Sequence, residues 1–218
     1  MNNFQRNNSQ NRVEPVQVDV PAFVAEAIRT GQPLDIGKCW SRAWTLVMSD
    51  YGTFLGYTLL ANLCMQVFVL NFIIFGGLAY YFLGRIRNER REMSDLFIGF
   101  QYMTMPLIFA GLIQTVAVSF GFLFCILPGL YLALIWLFSW HLIVDHRLNF
   151  WDAMEISRQV TNHHFGAVLL LWLTSCVLIF TGFLCLLIGL IFVVPFVWAM
   201  WAYAYEDIFG GIKRPQLT

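Results

Sequence analysis

The chain has 218 residues, 59% of them hydrophobic and 12% charged, and its 13 basic and 13 acidic side chains cancel. A water-soluble domain is nearer half apolar and a quarter charged, so this composition points to a membrane. Zero net charge excludes the basic footprint of a nucleic-acid binder, and the length leaves room for one compact membrane domain.

From the N-terminus, Asn2–Asn11 is polar and rich in Asn and Gln, without an apolar h-region, so a cleaved signal peptide is not expected. Residues 1–33 read as a flexible cytoplasmic tail in which Pro21–Thr30 makes a short helix stopped at Gly31. Asp35–Asp50 reads as an amphipathic helix lying on the membrane. Ile36, Cys39, Trp40, Ala43 and Val47 form one face, and Lys38, Arg42, Thr45 and Ser49 the other. Trp40 and Trp44 suit the headgroup boundary.

Three charge-free stretches follow: Tyr51–Gly84, Leu96–Val144 and Gln159–Tyr205. Each is too long for one span of roughly 20 residues and suits two, which returns the chain to the side it left. The first divides near Asn71 into Gly52–Leu70 and Phe72–Gly84. About 34 residues at ~1.5 Å each fall short of two full crossings, so a re-entrant hairpin is the alternative there. Arg85, Arg87, Arg90 and Arg91 mark the cytoplasmic side. Ser94–Met103 begins like a capped helix, with Ser94 or Asp95 at the cap. The third span ends near Phe124, Pro128-Gly129 makes the outer turn, and the fourth span is Leu130–Val144. Phe150–His164 is a further amphipathic helix, with Phe150, Ala153, Met154 and Val160 on its apolar face. Span five is Phe165–Leu187, the turn lies at Gly189, and span six is Leu190–Tyr205, carrying Pro195. The predicted fold is therefore all-α: a six-helix transmembrane domain over 34–209, built as three hairpins each preceded by an interfacial amphipathic helix, and a short cytoplasmic tail over 210–218. The repeated unit has an even number of spans, so the repeats are parallel, unlike the inverted repeats of many transporters.

The chemistry is sparse. Cys39, Cys64, Cys125, Cys176 and Cys185 form no CxxC and no metal-spaced cluster, and read as small hydrophobes. No metal or cofactor site is expected, and no P-loop, GxSxG, HExxH or dinucleotide glycine motif is present. His141 is the one ionisable residue within the predicted spans and reads as interfacial beside Trp140. His163 and His164 are adjacent and so point about 100° apart on a helix, not along one face. Asn62, Gln66 and Gln114 are candidate interhelical polar contacts. Gly76, Gly77, Gly111, Gly121 and Gly182, with Gly52-x-x-x-Gly56, are candidate close-packing positions. Trp40, Trp44, Arg85, Arg87, Arg90, Arg91, His163 and His164 are candidate interfacial or partner contacts.

Several strings occur together: Gly77-Leu78-Ala79-Tyr80-Tyr81-Phe82-Leu83, Asp95-Leu96-Phe97-Ile98-Gly99-Phe100, Pro128-Gly129-Leu130-Tyr131-Leu132-Ala133 with Trp136, Ile143-Val144-Asp145, Ala153 with Ser157, and Ala204-Tyr205-Glu206-Asp207. Their order, over about Leu34 to Phe209, resembles a broad group of uncharacterised bacterial integral membrane proteins. These are similar in turn to the membrane domain fused to some glycerophosphodiester phosphodiesterases. The resemblance implies a six-helix inner-membrane protein and supplies no catalytic residues.

The expected function is that of a non-enzymatic accessory subunit or scaffold in the plasma membrane. Its expected partners are the lipid bilayer and other membrane subunits or further copies of itself. Two alternatives stand beside it. One is a transporter or channel for a neutral or lipid-like substrate, motivated by the in-span amides and hydroxyls. The other is a membrane-embedded lipid-headgroup enzyme, which requires His163 or His164 to converge with Asp145 or Glu155.

Overall fold

The computed structural model describes residues 16–64, 68–89, 103–184 and 188–212. Among them the regular structure is helical, apart from one bridge between Val16 and Leu148. The helices are α1 (Val20–Thr30), α2 (Ile36–Ser49), α3 (Tyr51–Cys64), α4 (Phe68–Ile86), α5 (Thr104–Phe124), α6 (Ile126–Ile135), α7 (Ser139–His146), α8 (Phe150–His163), α9 (Phe165–Leu184) and α10 (Ile188–Phe209). Within the described residues, three segments are long and apolar enough to cross a membrane: Thr104–Phe124, Ile126–His146 and Phe165–Leu184. Arg90, Arg91, Gln66, the side chain of Asn62 and all of the Ser94–Met103 segment but its last residue lie outside the described residues.

Local chemistry explains the helix starts. Pro21 occupies the first turn of α1, where its missing N–H has no intrahelical partner to lose. Asp35 caps α2 by accepting from the Lys38 backbone N–H at 3.2 Å, and Asn149 caps α8 through Phe150 N–H at 2.8 Å. The predicted apolar faces are covered in large part: Cys39, Ala43 and Val47 of α2 and Ala153, Met154 and Val160 of α8 are buried, Ile36 and Phe150 are half-buried, and Trp40 is exposed.

From Val16 onward the described part of residues 1–33 packs against the helices. Val16 N–H donates to Arg147 O at 2.9 Å, and α1 buries Phe23, Val24 and Ala27 against α8 and α10. Gly31 ends α1 with a φ of −60°. A Cβ there would stand 2.7 Å from Ile208 O, so close approach, not backbone freedom, requires glycine.

The core sits where α4, α7 and α10 run in the same direction. Phe75 of mid-α4 meets Trp140 at the start of α7 and Trp198 of mid-α10, and Arg87 meets Asp145 and Glu206 at the helix ends. Phe138, just before α7, and His141 of α7 pack on Tyr205 of α10, and Tyr205 stacks on Phe209. Other helices run antiparallel to these: α3 on α4 through Phe54, Tyr57 and Tyr81, and α9 on α10 through Trp201 Nε1, which donates to Ser175 Oγ at 2.9 Å. α2 lies lengthwise along α10 in the opposite sense. Arg42 meets Asp207, Trp44 meets Phe196 and Tyr51 stacks on Phe192.

Two turns differ from expectation. The break between α5 and α6 is Cys125 alone, with extended backbone, and Pro128 and Gly129 lie inside α6. Proline is accepted there because it falls in the first turn. Gly129 needs no positive φ, and none of the described glycines has one. It is required by contact: a Cβ on Gly121 would stand 2.8 Å from Gly129 Cα, and one on Gly129 2.6 Å from the Phe122 ring. Gly189 likewise belongs to α10, and a Cβ on Gly182 would reach its carbonyl carbon at 3.2 Å. The expected close packing holds at Gly76 against Leu107 and at Gly111 against Phe72, but a Cβ on Gly52 would meet nothing within 4 Å.

Candidate functional site

The densest polar cluster in the described residues lies at the common end of α4, α7 and α10. Arg87 is one residue past α4, where the chain leaves the helix. Its Nη1 donates to Asp145 Oδ1 at 2.6 Å and its Nη2 to Oδ2 at 2.9 Å. Its Nε and Nη2 also donate to Glu206 Oε2 at 3.0 and 2.6 Å. The side chains are 14% exposed for Arg87, 7% for Asp145 and 24% for Glu206, so the group is largely withdrawn from water. Tyr205 O–H donates to Asp145 Oδ2 at 3.1 Å, and His146 Nε2 lies 3.6 Å from the same oxygen. Burial works to lower the Arg87 pKa, but its hydrogen bonds to the two carboxylates outweigh it and hold the guanidinium well above its ordinary value. One planar fork thus ties three helix ends together.

Two further ion pairs brace the same end. Arg42 donates to Asp207 and lies over the Tyr203 ring at 4.8 Å. The hydrogen bond to Asp207 holds Arg42 above its usual pKa. Cys39 Sγ lies 3.4 Å from Asp207 Oδ2, and its thiol is pushed up to about 12, by burial first and then by that carboxylate. Such a thiol is not a nucleophile at neutral pH. Arg85 Nη2 donates to Asp50 Oδ2 at 3.0 Å, and its guanidinium lies over Phe54 at 5.4 Å.

The remaining candidates are scattered. Trp40 and Trp44 are 40% and 53% exposed and set their edges against Phe196. His163 and His164 stand ring against ring at 4.8 Å, with His164 half-buried. Burial, then the neighbouring His163, lowers the His164 pKa. Glu155 accepts from Arg158 at 2.8 and 2.5 Å and from Gln159 at 2.6 Å, and its pKa is lowered chiefly by Arg158. No described hydrogen bond or ion pair joins His163 or His164 to Asp145 or Glu155, and no described group of three His, Cys, Asp or Glu is placed to hold a metal. Gln114 Nε2 donates to Ser139 Oγ across α5 and α7, the interhelical contact expected of it. His141 is a correction. It is 2% exposed, stacked on Tyr205 at 5.2 Å, and neither ring nitrogen has a hydrogen-bond partner among the described residues.

Periodicity cannot single out Asp145, Glu206 or Asp207, because a carboxylate at the end of an apolar run looks the same whether it faces water or an arginine. The usable signal was positional: each of three apolar runs ends on the same side in a charge, and these charges include both signs. No family model matches the chain, and no curated protein or solved structure matches it.

Proposed function

We propose that this chain is a polytopic membrane protein of six crossings, arranged as three hairpins with both termini and the charged patches on the cytoplasmic side of a plasma membrane. It acts through contacts, as an accessory subunit or scaffold, and not as an enzyme. The supporting observation is the use of its charged side chains. Arg42, Arg85, Arg87, Asp50, Asp145, Glu206 and Asp207 pair with one another across helices and brace the bundle. A catalytic carboxylate needs a face open to substrate, and Asp145 and Glu206 share an arginine instead. The exposed side chains include Trp40, Trp44 and Trp151, aromatic anchors of the kind enriched at interfaces. Solubilising the full chain in mild detergent tests this. A stable partner or self-association should copurify, and repeated isolation as a lone monomer from native membranes overturns the reading.

Transport of a neutral solute is the second reading, favoured by His141. A buried imidazole with both nitrogens unpaired, inside an apolar segment, is costly unless it serves a path. His141→Phe removes the polar atoms with little change in shape. A slower efflux of glycerol from proteoliposomes carrying this variant supports transport. Equal efflux from variant, native chain and empty vesicles removes it.

A further inference from the structure

The turn between α5 and α6 is as apolar as the helices it joins. Leu123, Phe124, Ile126 and Leu127 are 78%, 83%, 73% and 73% exposed, the highest values among the large hydrophobic residues described. A water-facing turn is ordinarily built from Gly, Pro, Asn, Asp and Ser. This one is a single cysteine between phenylalanine and isoleucine, and the nearest described formal charges are Asp145 and Glu89. The end of α9 repeats the pattern, with Phe180, Phe183 and Leu184 exposed at 64%, 60% and 65%.

Length places these ends. α5 has 21 residues and α9 has 20. At ~1.5 Å per residue they rise about 30 Å, the thickness of the hydrocarbon core and less than the ~40–45 Å that includes the headgroups. The backbone agrees with that depth. Cys125 N–H donates to Gly121 O at 3.0 Å, and Pro128 has no N–H, so the turn presents fewer orphan donors than an ordinary helix start. The orphans that remain need ester or water oxygens, which sets the turn at the edge of the hydrocarbon and not at its middle.

We infer that the α5–α6 turn and the last described turn of α9, to Leu184, lie inside the far leaflet, seated among its acyl chains. The partner of this surface is lipid hydrocarbon. A protein subunit or a second copy of the chain would cover the same residues, and the test separates these occupants. The inference rests on the membrane-spanning reading above.

The experiment uses the full chain with Cys39→Ala, Cys64→Ala, Cys176→Ala and Cys185→Ala, a nitroxide on Cys125, and reconstitution in phospholipid vesicles. Collisions with oxygen and with a water-soluble nickel chelate, present on both sides of the membrane, are read by power saturation. A second sample carries the label at Val116→Cys, midway along α5, with Cys125→Ala. At Cys125, oxygen collisions are expected to dominate and nickel collisions to be largely lost, at a shallower depth than at Val116. Strong nickel broadening at Cys125 with none at Val116 overturns the inference and leaves the membrane reading intact. Nickel broadening at both sites sinks the membrane reading itself. Protection from both reagents at Cys125 means a protein covers the turn, and that also overturns the inference. If the alanine background does not insert, the emission that Leu123→Trp adds to that of the eight native tryptophans, quenched by lipids brominated along their acyl chains, reads the same depth. Added emission that these lipids do not quench overturns the inference there too.

Discussion

At the scale of single residues, Arg87 has the largest consequence. Removing it leaves Asp145 and Glu206 largely buried without a cation, and breaking a buried pair in this way costs about 3–5 kcal/mol. Arg87→Ala is therefore expected to lower the thermal unfolding midpoint in detergent strongly. Arg87→Lys should recover only part of the loss, because an ammonium cannot span two carboxylates as a planar fork does. Recovery to the native midpoint would show that the bidentate geometry contributes nothing. His164 adds a pH dependence. Its pKa is lowered in the folded chain, so the unfolded chain binds its proton more readily. The stability from its neutral form is complete above the ordinary value of about 6.5 and is lost as pH falls through the lowered folded value. Unfolding midpoints across that window should decline less steeply in His164→Gln than in the native chain.

At the scale of elements, the break between α6 and α7 carries its own repair. Trp136–Phe138 leave the helix, and the freed Ile135 carbonyl accepts from the buried Ser157 hydroxyl of α8 at 2.8 Å. Ser139 Oγ closes the next carbonyl, Trp136 O, at 2.7 Å. Ser157→Ala removes one partner and leaves a buried acceptor unsatisfied, an expected loss of about 1–3 kcal/mol in denaturant or thermal unfolding. The glycines give a matched pair. Gly121→Leu drives a side chain into the Gly129 backbone and should destabilise the α5–α6 contact by about 1–3 kcal/mol. Gly52→Ala meets open space in a helix and should be neutral or stabilising by up to about 1 kcal/mol. Equal unfolding midpoints for the two variants would refute the close-packing account.

At the scale of the molecule, burial is inverted relative to a soluble domain. Most of α5 and α9 is uncovered by the rest of the protein, while the C-terminal half of α10 is enclosed. An exposed apolar surface of this extent is untenable in water. The chain is expected to stay in the membrane pellet through alkaline carbonate extraction and to need detergent for release. Recovery in the carbonate supernatant would contradict every membrane statement made of it. The charged end has the opposite character. The pairs of Arg87 with Asp145 and Glu206 are largely buried, so moderate salt should leave them intact, since buried pairs are weakly screened.

Much of this was legible in the residues alone, for reasons that differ by feature. The α2 and α8 faces followed from three- and four-residue spacing, because a helix that buries one stripe must repeat it at that period. The helix class followed from charge-free length, because a backbone in hydrocarbon must satisfy itself. Gln114 was recognisable as an interhelical contact because an amide in an apolar run needs a partner. Pro128-Gly129 was misread because proline and glycine punctuate both turns and first helical turns, and only the neighbouring backbone tells which. His141 was misread because an imidazole beside tryptophan has the same one-dimensional context at an interface and in a core.

The sequence by itself determined that this chain is helical, that long parts of it are apolar enough to cross a membrane, and that its charges gather at the ends of apolar runs. Composition and period act locally and need no knowledge of neighbours. Only the tertiary structure decided which charges meet. Arg87 reaches Asp145 and Glu206, 58 and 119 positions away, because three parallel helices end at one level. It also decided that Gly121 and Gly129 are spacers, and that the histidine in the α7 run is enclosed. Those outcomes depend on helix packing across the chain, which no local pattern encodes.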